Sequence, residues 1–356
     1  MGLPFLNGQS KKRDQIIAID LGGRSTKAVH MQRRGDVYTL LRYCVMDAPI
    51  YEKNLSVDLL AEHLKAIHQA METKTKYVSL ALSVTDSVVR HTELPQIPLA
   101  DMRLILRNNT KNYLQQDLPG HTFDCYFIPT RNGDKAEGIK FNAGAQKLKV
   151  LVGGAKKQLT DDLQAAVRQA GLVPDQVIPG IVGPVNAFEL AMPDLFAKEA
   201  IALVDIGFKS TSICLLQKGD LIVSRVVNIG GDRLTQGLAD AMGISYAEAE
   251  GIKVGMPTEV QASLEPLLSP LGRELRASVD FFEHQQDRTV SQIYISGGSA
   301  RSEFIVKGLE AELMAPCRSW NPAATLQMAL PAQQTAELEQ VAPQLTVALG
   351  TAAATF

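Results

Sequence analysis

Two short polar segments carry the residues of this chain that could do chemistry, and the second repeats the first. The first is Asp20-Leu21-Gly22-Gly23-Arg24-Ser25-Thr26, and the second is Asp205-Ile206-Gly207-Phe208-Lys209-Ser210-Thr211. Glycine turns expose backbone N–H groups to anionic oxygens, and the hydroxyl groups that follow add further donors. One such turn is also typical of an ordinary hairpin. Two copies with Ser-Thr at the same offset favour a site that holds phosphates between them.

Three charged side chains complete the predicted phosphate site. Lys27 follows the first segment and brings a positive charge to the β- and γ-phosphates of a nucleoside triphosphate. Asp20 and Asp205 begin the two segments, and carboxylates beside a triphosphate need a cation between them. We therefore predict Mg²⁺ held by both aspartates, through water, since Mg²⁺ keeps several of its own waters.

A third glycine turn follows an apolar run late in the chain. Ile293 to Ser296 leads into Gly297-Gly298-Ser299 at the start of a predicted helix. A bare glycine backbone beside helix N–H groups suits an adenosine and its nearest phosphate, although an ordinary strand-to-helix turn would use the same residues. Neither GxxxxGK[ST] nor GxGxxG occurs in the sequence, so a P-loop and a Rossmann site are both unsupported.

Apolar periodicity predicts the elements that position these residues. Each repeat is read as three strands joined by tight turns, at 15–20, 25–32 and 37–46 and again at 201–205, 210–216 and 221–227. A β-α-β-β-α insertion separates them, with strands at 77–84 and 87–94 and a polar loop at 131–138. The predicted parts are a flexible tail (1–13), a first domain core (14–76 and 173–198), an inserted subdomain (77–172) and a second domain (199–356) with a helical subdomain at about 243–288.

Composition and charge exclude several classes of function. The formal net charge of −2 gives no overall electrostatic attraction to nucleic acid. No uninterrupted apolar stretch is long enough to span a bilayer. The four cysteines lie far apart without a CxxC pair, which argues against zinc and dithiol redox sites. We expect a cytoplasmic protein with no nucleic-acid partner and no membrane span.

The order of the three turns resembles the actin-like ATPase superfamily, which includes actin, sugar kinases and DnaK-type chaperones. Four stretches sharpen the likeness to the PilM family of type IV pilus assembly proteins and its FtsA relatives: ALVDIG (202–207), VNIGGD (227–232), GISYAEAEGIK (243–253) and PQLTVALG (343–350). The resemblance implies an α/β fold of duplicated, ribonuclease H-like domains around a nucleotide cleft. It also implies that the insertion is the extra subdomain of the FtsA/PilM type.

The resemblance extends to ligands and partners. It implies ATP and Mg²⁺ as ligands, with Gly230, Gly231, Glu250 and Lys253 at the nucleotide. Glu250 and Lys253 lie one helical turn apart, so a solvated ion pair is the alternative. The implied partners are the cytoplasmic N-terminal peptide of a PilN-like inner-membrane protein and further assembly components, including motor ATPases. The implied role is an adaptor, peripheral at the inner membrane through its partners, of a pilus or a related secretion machine.

Two other functions within the superfamily remain open from the residues alone. One is a filament-forming division protein like FtsA, and the other is a small-molecule kinase. Hydrolysis needs a group that orients the attacking water. PilM-like sequences often have Glu-Pro before the second half, where this chain has Gly183-Pro184, and the nearby polar residues are Asn186 and Glu189. We therefore predict slow ATP turnover at most, with the nucleotide mainly structural or switching.

Overall fold

The computed structural model describes residues 13–50, 55–128, 147–255 and 261–356. The strands in this part of the chain are β1 (Gln15–Leu21), β2 (Ser25–Arg34), β3 (Val37–Asp47), β4 (Tyr77–Leu82), β5 (Ser87–Pro95), β6 (His121–Phe127), β7 (Lys147–Lys156), β8 (Val173–Pro179), β9 (Ala200–Ile206), β10 (Thr211–Gln217), β11 (Asp220–Val227), β12 (Gln292–Ser296), β13 (Cys317–Ser319) and β14 (Gln327–Met328). The helices are α1 (Val57–Ala70), α2 (Leu99–Asn108), α3 (Thr110–Leu114), α4 (Lys157–Gln169), α5 (Gly183–Ala191), α6 (Pro193–Lys198), α7 (Gly231–Met242), α8 (Tyr246–Gly255), α9 (Gln261–Gln286), α10 (Glu303–Leu313), α11 (Ala332–Val341) and α12 (Thr346–Thr355).

Two mixed sheets with the same internal order form the two halves of the molecule. The first sheet has the order β14-β3-β2-β1-β4-β8, and the second has β11-β10-β9-β12-β13. β1 pairs antiparallel with β2 and parallel with β4, as β9 does with β10 and β12. The predicted duplication is therefore confirmed at the level of strand order and direction.

The central strand of the first sheet is buried on both faces. Ile17 and Ile19 pack into one apolar cluster with α1 and α4, whereas Ile16 and Ala18 pack into another with α11 and α12. A continuous apolar run is the pattern expected of such a strand, since neither face reaches water. This packing fixes β1, and with it the turn that follows.

The strand predicted at 77–84 belongs to the first sheet and not to the insertion. β4 lies between β1 and β8, parallel to both. Its residues Val78 and Leu80 share a core with Leu163 and Val167 of α4. Both β4 and α4 therefore belong to the first half, although the predicted insertion at 77–172 includes them. The inserted subdomain has fewer elements than predicted. The apolar residues of β4 and α4 are buried in this core, and that burial stabilises both elements on the first sheet.

The inserted subdomain contains β5, α2, α3, β6 and β7. Its three strands form an antiparallel sheet in the order β5-β7-β6. A separate core fills the space between this sheet and α2, with Leu94, Met102, Leu106 and Val150 all buried. α2 and α3 are separated at Asn109, and the loop predicted at 131–138 lies outside the described residues.

The last part of the chain returns to the first half, so the second domain does not extend to residue 356 as predicted. β14 pairs with β3, and α12 shares a core with β1 and β2. α12 also crosses α5, where a Cβ added to Gly350 would lie 1.8 Å from the carbonyl oxygen of Gly183. Glycine at both positions lets the two backbones touch, which gives a packing reason for Gly183-Pro184.

The ends of the predicted tail and of the helical subdomain also differ from the prediction. Arg13, placed in the tail, donates from Nε to Asp175 at 2.7 Å and lies 3.4 Å above the ring centre of Tyr77; residues 1–12 lie outside the described range. α7, α8 and the start of α9 share a small core around Leu264. The rest of α9, including Leu271, packs on the second sheet. None of the described helices is long and apolar enough to cross a membrane.

Candidate functional site

A cleft of about 740 Å³ lies between the two sheets, and both polar segments line it. The first segment forms the turn between β1 and β2, and the second forms the turn between β9 and β10. The turns face each other closely, because a Cβ added to Gly23 would lie 3.5 Å from Cδ1 of Phe208. Asp20 and Asp205 both line this space, as the repeated segment predicts.

The first turn carries a cation and a fixed hydroxyl. Asp20 and Lys27 are opposite each other in the β1–β2 register, and Lys27 Nζ lies 3.5 Å from Asp20 Oδ2. Thr26 is buried, and its Oγ1 lies 2.8 Å from Nε2 of His63 on α1. The pair with Asp20 holds the ammonium group of Lys27 at the cleft, where it can meet an anionic ligand.

The second turn carries a carboxylate that resists ionisation. Burial raises the pKa of Asp205 to about 6, against an opposing hydrogen bond that Ser296 donates to Oδ2 at 2.8 Å. The charge of Asp20 adds to the rise, and that of Lys27 opposes it. The carboxylates of the two turns are therefore within electrostatic range of each other, which is the arrangement that a shared cation would stabilise.

Several glycines of the cleft are required by close backbone contact. A Cβ at Gly22 would lie 2.5 Å from the carbonyl oxygen of Ser25. Gly297 has φ +88°, and a Cβ there would lie 2.4 Å from the carbonyl oxygen of Ile206. Gly298 differs, because nothing lies within 4 Å of its added Cβ. Gly298 therefore leaves open space at the start of the turn after β12.

All the predicted site residues line the cleft except Thr211 and Gly230. Thr211 is fully buried and donates its hydroxyl to the carbonyl oxygen of Ile229 at 2.7 Å. A Cβ at Gly230 would lie 2.4 Å from the carbonyl oxygen of Phe208. Both residues thus support the second turn from behind and do not line the cleft, so their contact with a nucleotide stays a prediction.

A polar network on α7 and α8 forms the far wall of the cleft. Oε2 of Glu250 accepts from Nζ of Lys253 at 2.7 Å and from the hydroxyl of Thr235. Burial opposes ionisation of Glu250, but these hydrogen bonds and nearby positive charges outweigh it and lower its pKa. Glu250 and Lys253 therefore form a partly buried ion pair at the cleft and not a solvated one, and Glu250 is an ionised acceptor suited to hydroxyl groups of a ribose.

Arg24, which was not among the predicted site residues, links the two sides of the cleft. Arg24 of the first turn lies 3.5 Å from Oε2 of Glu250, and its guanidinium lies 6.0 Å from the ring centres of Phe208 and Tyr246. It thus joins the first half to the second. Its position inside the repeated segment is the signal that could have found it, since the site prediction rests on the glycine, hydroxyl and charged residues Asp and Lys of that region.

A second set of cleft residues was missed because β4 was assigned to the insertion. Residues 83–86, which follow β4, line the cleft beside the first turn. They include two hydroxyl groups and one carboxylate, on Ser83, Thr85 and Asp86. The signal that could have found them is the strand-like run that directly precedes them.

The two residues considered for orienting water do not line the cleft. Asn186 is buried within α5, and Glu189 is exposed on the same helix. Among the described residues, no group of three or more His, Cys, Asp or Glu side chains could hold a metal ion. A Mg²⁺ ion at this site would therefore rest on Asp20, Asp205, water and phosphate oxygens, a set of hard oxygen ligands that fits this ion.

The strand order, the duplicated turns and the shared cleft define an actin-like fold. Two solved structures agree with this class. A PilM–PilN type IV pilus biogenesis complex matches with a TM-score of 0.82 and 21% identity over 97% of this chain and 99% of that one. The ethanolamine utilization protein EutJ from Carboxydothermus hydrogenoformans matches with a TM-score of 0.55 and 15% identity over 97% and 91%.

Sequence comparison narrows the class to one family. The model of the type IV pilus assembly protein PilM family matches residues 18–356, so the chain belongs to that family. The cell division protein FtsA of Bacillus subtilis (strain 168) is 31% identical over 103 residues, which is 29% of this chain and 22% of the length of FtsA. The likeness to both families stated from the sequence is thereby confirmed.

Proposed function

We propose that this chain is a nucleotide-bound adaptor of type IV pilus assembly that binds the cytoplasmic N-terminal peptide of a PilN-like membrane protein. The family match over residues 18–356 carries the proposal. The solved PilM–PilN complex, which shares this fold, supports the kind of partner. In this role the protein is cytoplasmic and reaches the inner membrane through its partners, which include further assembly components such as motor ATPases.

The proposed ligand is ATP with Mg²⁺. The geometry of the cleft supports it, since two glycine turns, Lys27 and two converging carboxylates are what a triphosphate and its cation require. Asp20 and Asp205 would hold Mg²⁺ through water, and the bound ion would neutralise phosphate charge. Glu250 would accept from the ribose, and the open backbone at Gly298 would lie against the adenosine.

The proposed nucleotide acts mainly as a structural or switching ligand. Hydrolysis needs a side chain that orients or deprotonates the attacking water. Neither Asn186 nor Glu189 lines the cleft. We expect purified protein to release phosphate from ATP slowly, and brisk turnover would contradict this part of the proposal.

The proposed docking place for the partner peptide is a cavity of about 160 Å³ beside the inserted subdomain. Its walls include Tyr126, Ile128 and Leu151 of the insertion and the turn between β10 and β11. This space is of the size of one aliphatic side chain, so an extended peptide could anchor one apolar residue there.

The test is the affinity of the PilN-like partner's N-terminal peptide for the full chain. Ile128→Glu places a charge at the cavity, and we expect binding to weaken about tenfold or more. The matched control is Phe127→Glu, which changes the exposed neighbouring residue of the same strand end. If the wild-type protein does not bind the peptide, the adaptor role is overturned. A loss with Phe127→Glu alone would move the docking place to the other face.

A further inference from the structure

Residues 83–86, which we call the neck, belong both to the cleft wall and to the start of the inserted subdomain. The neck follows β4 directly and is itself followed by Ser87, the first residue of β5. Ala81 of β4 is opposite Asp20 of β1 in the parallel register. The chain therefore leaves the sheet beside the first turn, next to the carboxylate proposed to hold Mg²⁺.

Two hydroxyl groups of the neck, on Ser83 and Thr85, line the cleft. Oγ of Ser83 and Oγ1 of Thr85 form a hydrogen bond at 2.9 Å, and Ser83 Oγ also accepts from the backbone N–H of Thr85 at 3.4 Å. The bond between the two uses one of their two hydroxyl hydrogens, which leaves the other for a ligand or for water. A free hydroxyl donor beside a phosphate-binding turn is a suitable partner for a phosphate oxygen.

The neck is held in one shape by bonds to a single carbonyl group. The carbonyl oxygen of Ser83 accepts from the backbone N–H of Asp86 at 3.0 Å and from the hydroxyl of Ser87 at 3.2 Å. Because these bonds tie Ser83 to Ser87, a ligand that shifts Ser83 or Thr85 would also shift the start of β5.

The opposite side of the inserted subdomain rests on the second half. Nε2 of His91 on β5 lies 2.7 Å from the carbonyl oxygen of Leu221 on β11. Val89 and Leu151 of the insertion share a core with Leu216 of the second sheet. The inserted subdomain is thus connected to the first half through the neck and packed on the second half through β5.

We propose that the neck binds the terminal phosphate of a nucleoside triphosphate and that this contact sets how the inserted subdomain docks on the second half. The proposal rests on the proposed nucleotide site and adds to it a contact with the third phosphate. A diphosphate fills the two glycine turns without reaching the neck. A triphosphate differs by its contact with Ser83 and Thr85, which is the differential interaction that a switch requires.

The test compares a diphosphate with a triphosphate on the full chain. We measure the affinity of Mg-ADP and of Mg-ATPγS, and the hydrogen exchange of β5 and β11 amides at saturating ligand. The variant Ser83→Ala/Thr85→Val removes both hydroxyl groups. We expect it to bind Mg-ATPγS about tenfold more weakly, with Mg-ADP affinity changed less than twofold. Wild-type β5 and β11 amides should exchange more slowly with Mg-ATPγS than with Mg-ADP, and the double variant should lose this difference.

The matched control is Ser87→Ala, which removes the hydroxyl of the residue next to the neck; Ser87 does not line the cleft. It should retain the preference for the triphosphate and the slower exchange. An equal loss in Ser87→Ala would assign the effect to loop order and overturn the phosphate contact. Equal exchange with both ligands in the wild type would overturn the coupling, while the proposed nucleotide site would stand if both ligands bind. Failure of both ligands to bind would refute the site itself.

Discussion

The two phosphate turns have the same backbone plan and different charges. Asp20 is opposite Lys27 in the β1–β2 register, whereas Asp205 is opposite Ser212 in the β9–β10 register. The first carboxylate therefore has a cation beside it, at 3.5 Å. The second has the Ser296 hydroxyl as its partner, and its pKa is raised to about 6.

This difference shows how a duplicated segment can divide one task between its copies. The first turn brings the positive charge that phosphates need. The second turn brings a carboxylate whose ionisation is unfavourable without a nearby cation. Binding of Mg²⁺ removes this cost, so the site favours the ion. The threonines differ in the same way, because Thr26 contacts His63 at the cleft while Thr211 is turned into the core.

The largest expected effect is on the stability of the protein without ligand. The pKa of Asp205 is about 6 in the folded state, against an ordinary value of 3.8, so keeping Asp205 ionised costs about 3 kcal/mol well above pH 6. Asp205→Asn should therefore stabilise the protein by up to that amount at pH 7.5, and the gain should disappear as pH falls towards 4. Urea unfolding at the two pH values measures this, and Asp20→Asn, which breaks an ion pair, should give no gain. An equal gain for both variants would remove the difference between the turns.

Lys27→Met should weaken Mg-ATP binding about thirtyfold, because a charge-assisted hydrogen bond to a phosphate is worth about 2 kcal/mol. Ser212→Ala, at the equivalent position of the second turn, should change the affinity less than twofold. Titration with a fluorescent ATP analogue measures both. Similar losses in the two variants would mean that the turns contribute alike.

The affinity of the wild type for Mg-ATP should fall about tenfold between pH 7.5 and pH 5, because about nine-tenths of Asp205 is protonated one unit below a pKa of about 6. The affinity lost at low pH should be the part that depends on Mg²⁺. Asp205→Asn should show a weaker affinity at pH 7.5 and little further change at pH 5. A pH dependence that survives in Asp205→Asn would assign the titration to another group.

The smallest expected effect concerns the support of Thr26. His63→Ala should weaken Mg-ATP binding about threefold to fivefold, since it removes one hydrogen bond that orients the Thr26 hydroxyl. His68→Ala, on the same helix and bonded to the carbonyl oxygen of Thr75, is the control and should leave the affinity unchanged. Isothermal titration of both variants decides whether the first turn needs this support.

The repeated segments and their apolar flanks were enough to predict the two sheets and the facing turns. A continuous apolar run such as Ile16–Ile19 indicates a strand that is buried on both faces. The same pattern in β4 could not show which sheet it would join, because partner choice depends on cores that form between distant segments. The return of α12 to the first half was hidden for the same reason, since its contact with Gly183 is long-range.

The site was predicted by residue type and missed where type was not distinctive. Glycines with close contacts, such as Gly22 and Gly297, were found because few other residues fit there. Arg24 and the neck were missed because arginine, serine and threonine are common on any surface. Thr211 does not line the cleft, because strand register, which the segment alone does not determine, turns its hydroxyl towards Ile229.

The most direct test of a nucleotide site between the two turns is the affinity of ATP for the wild type and for Asp20→Ala, each with and without Mg²⁺. The control is Asp36→Ala, which changes an exposed aspartate in the turn between β2 and β3. We predict that the wild type binds more tightly with Mg²⁺, that Asp20→Ala binds more weakly and depends less on Mg²⁺, and that Asp36→Ala behaves as the wild type does. Equal affinity and equal Mg²⁺ dependence in all three proteins would contradict a nucleotide held between the two turns.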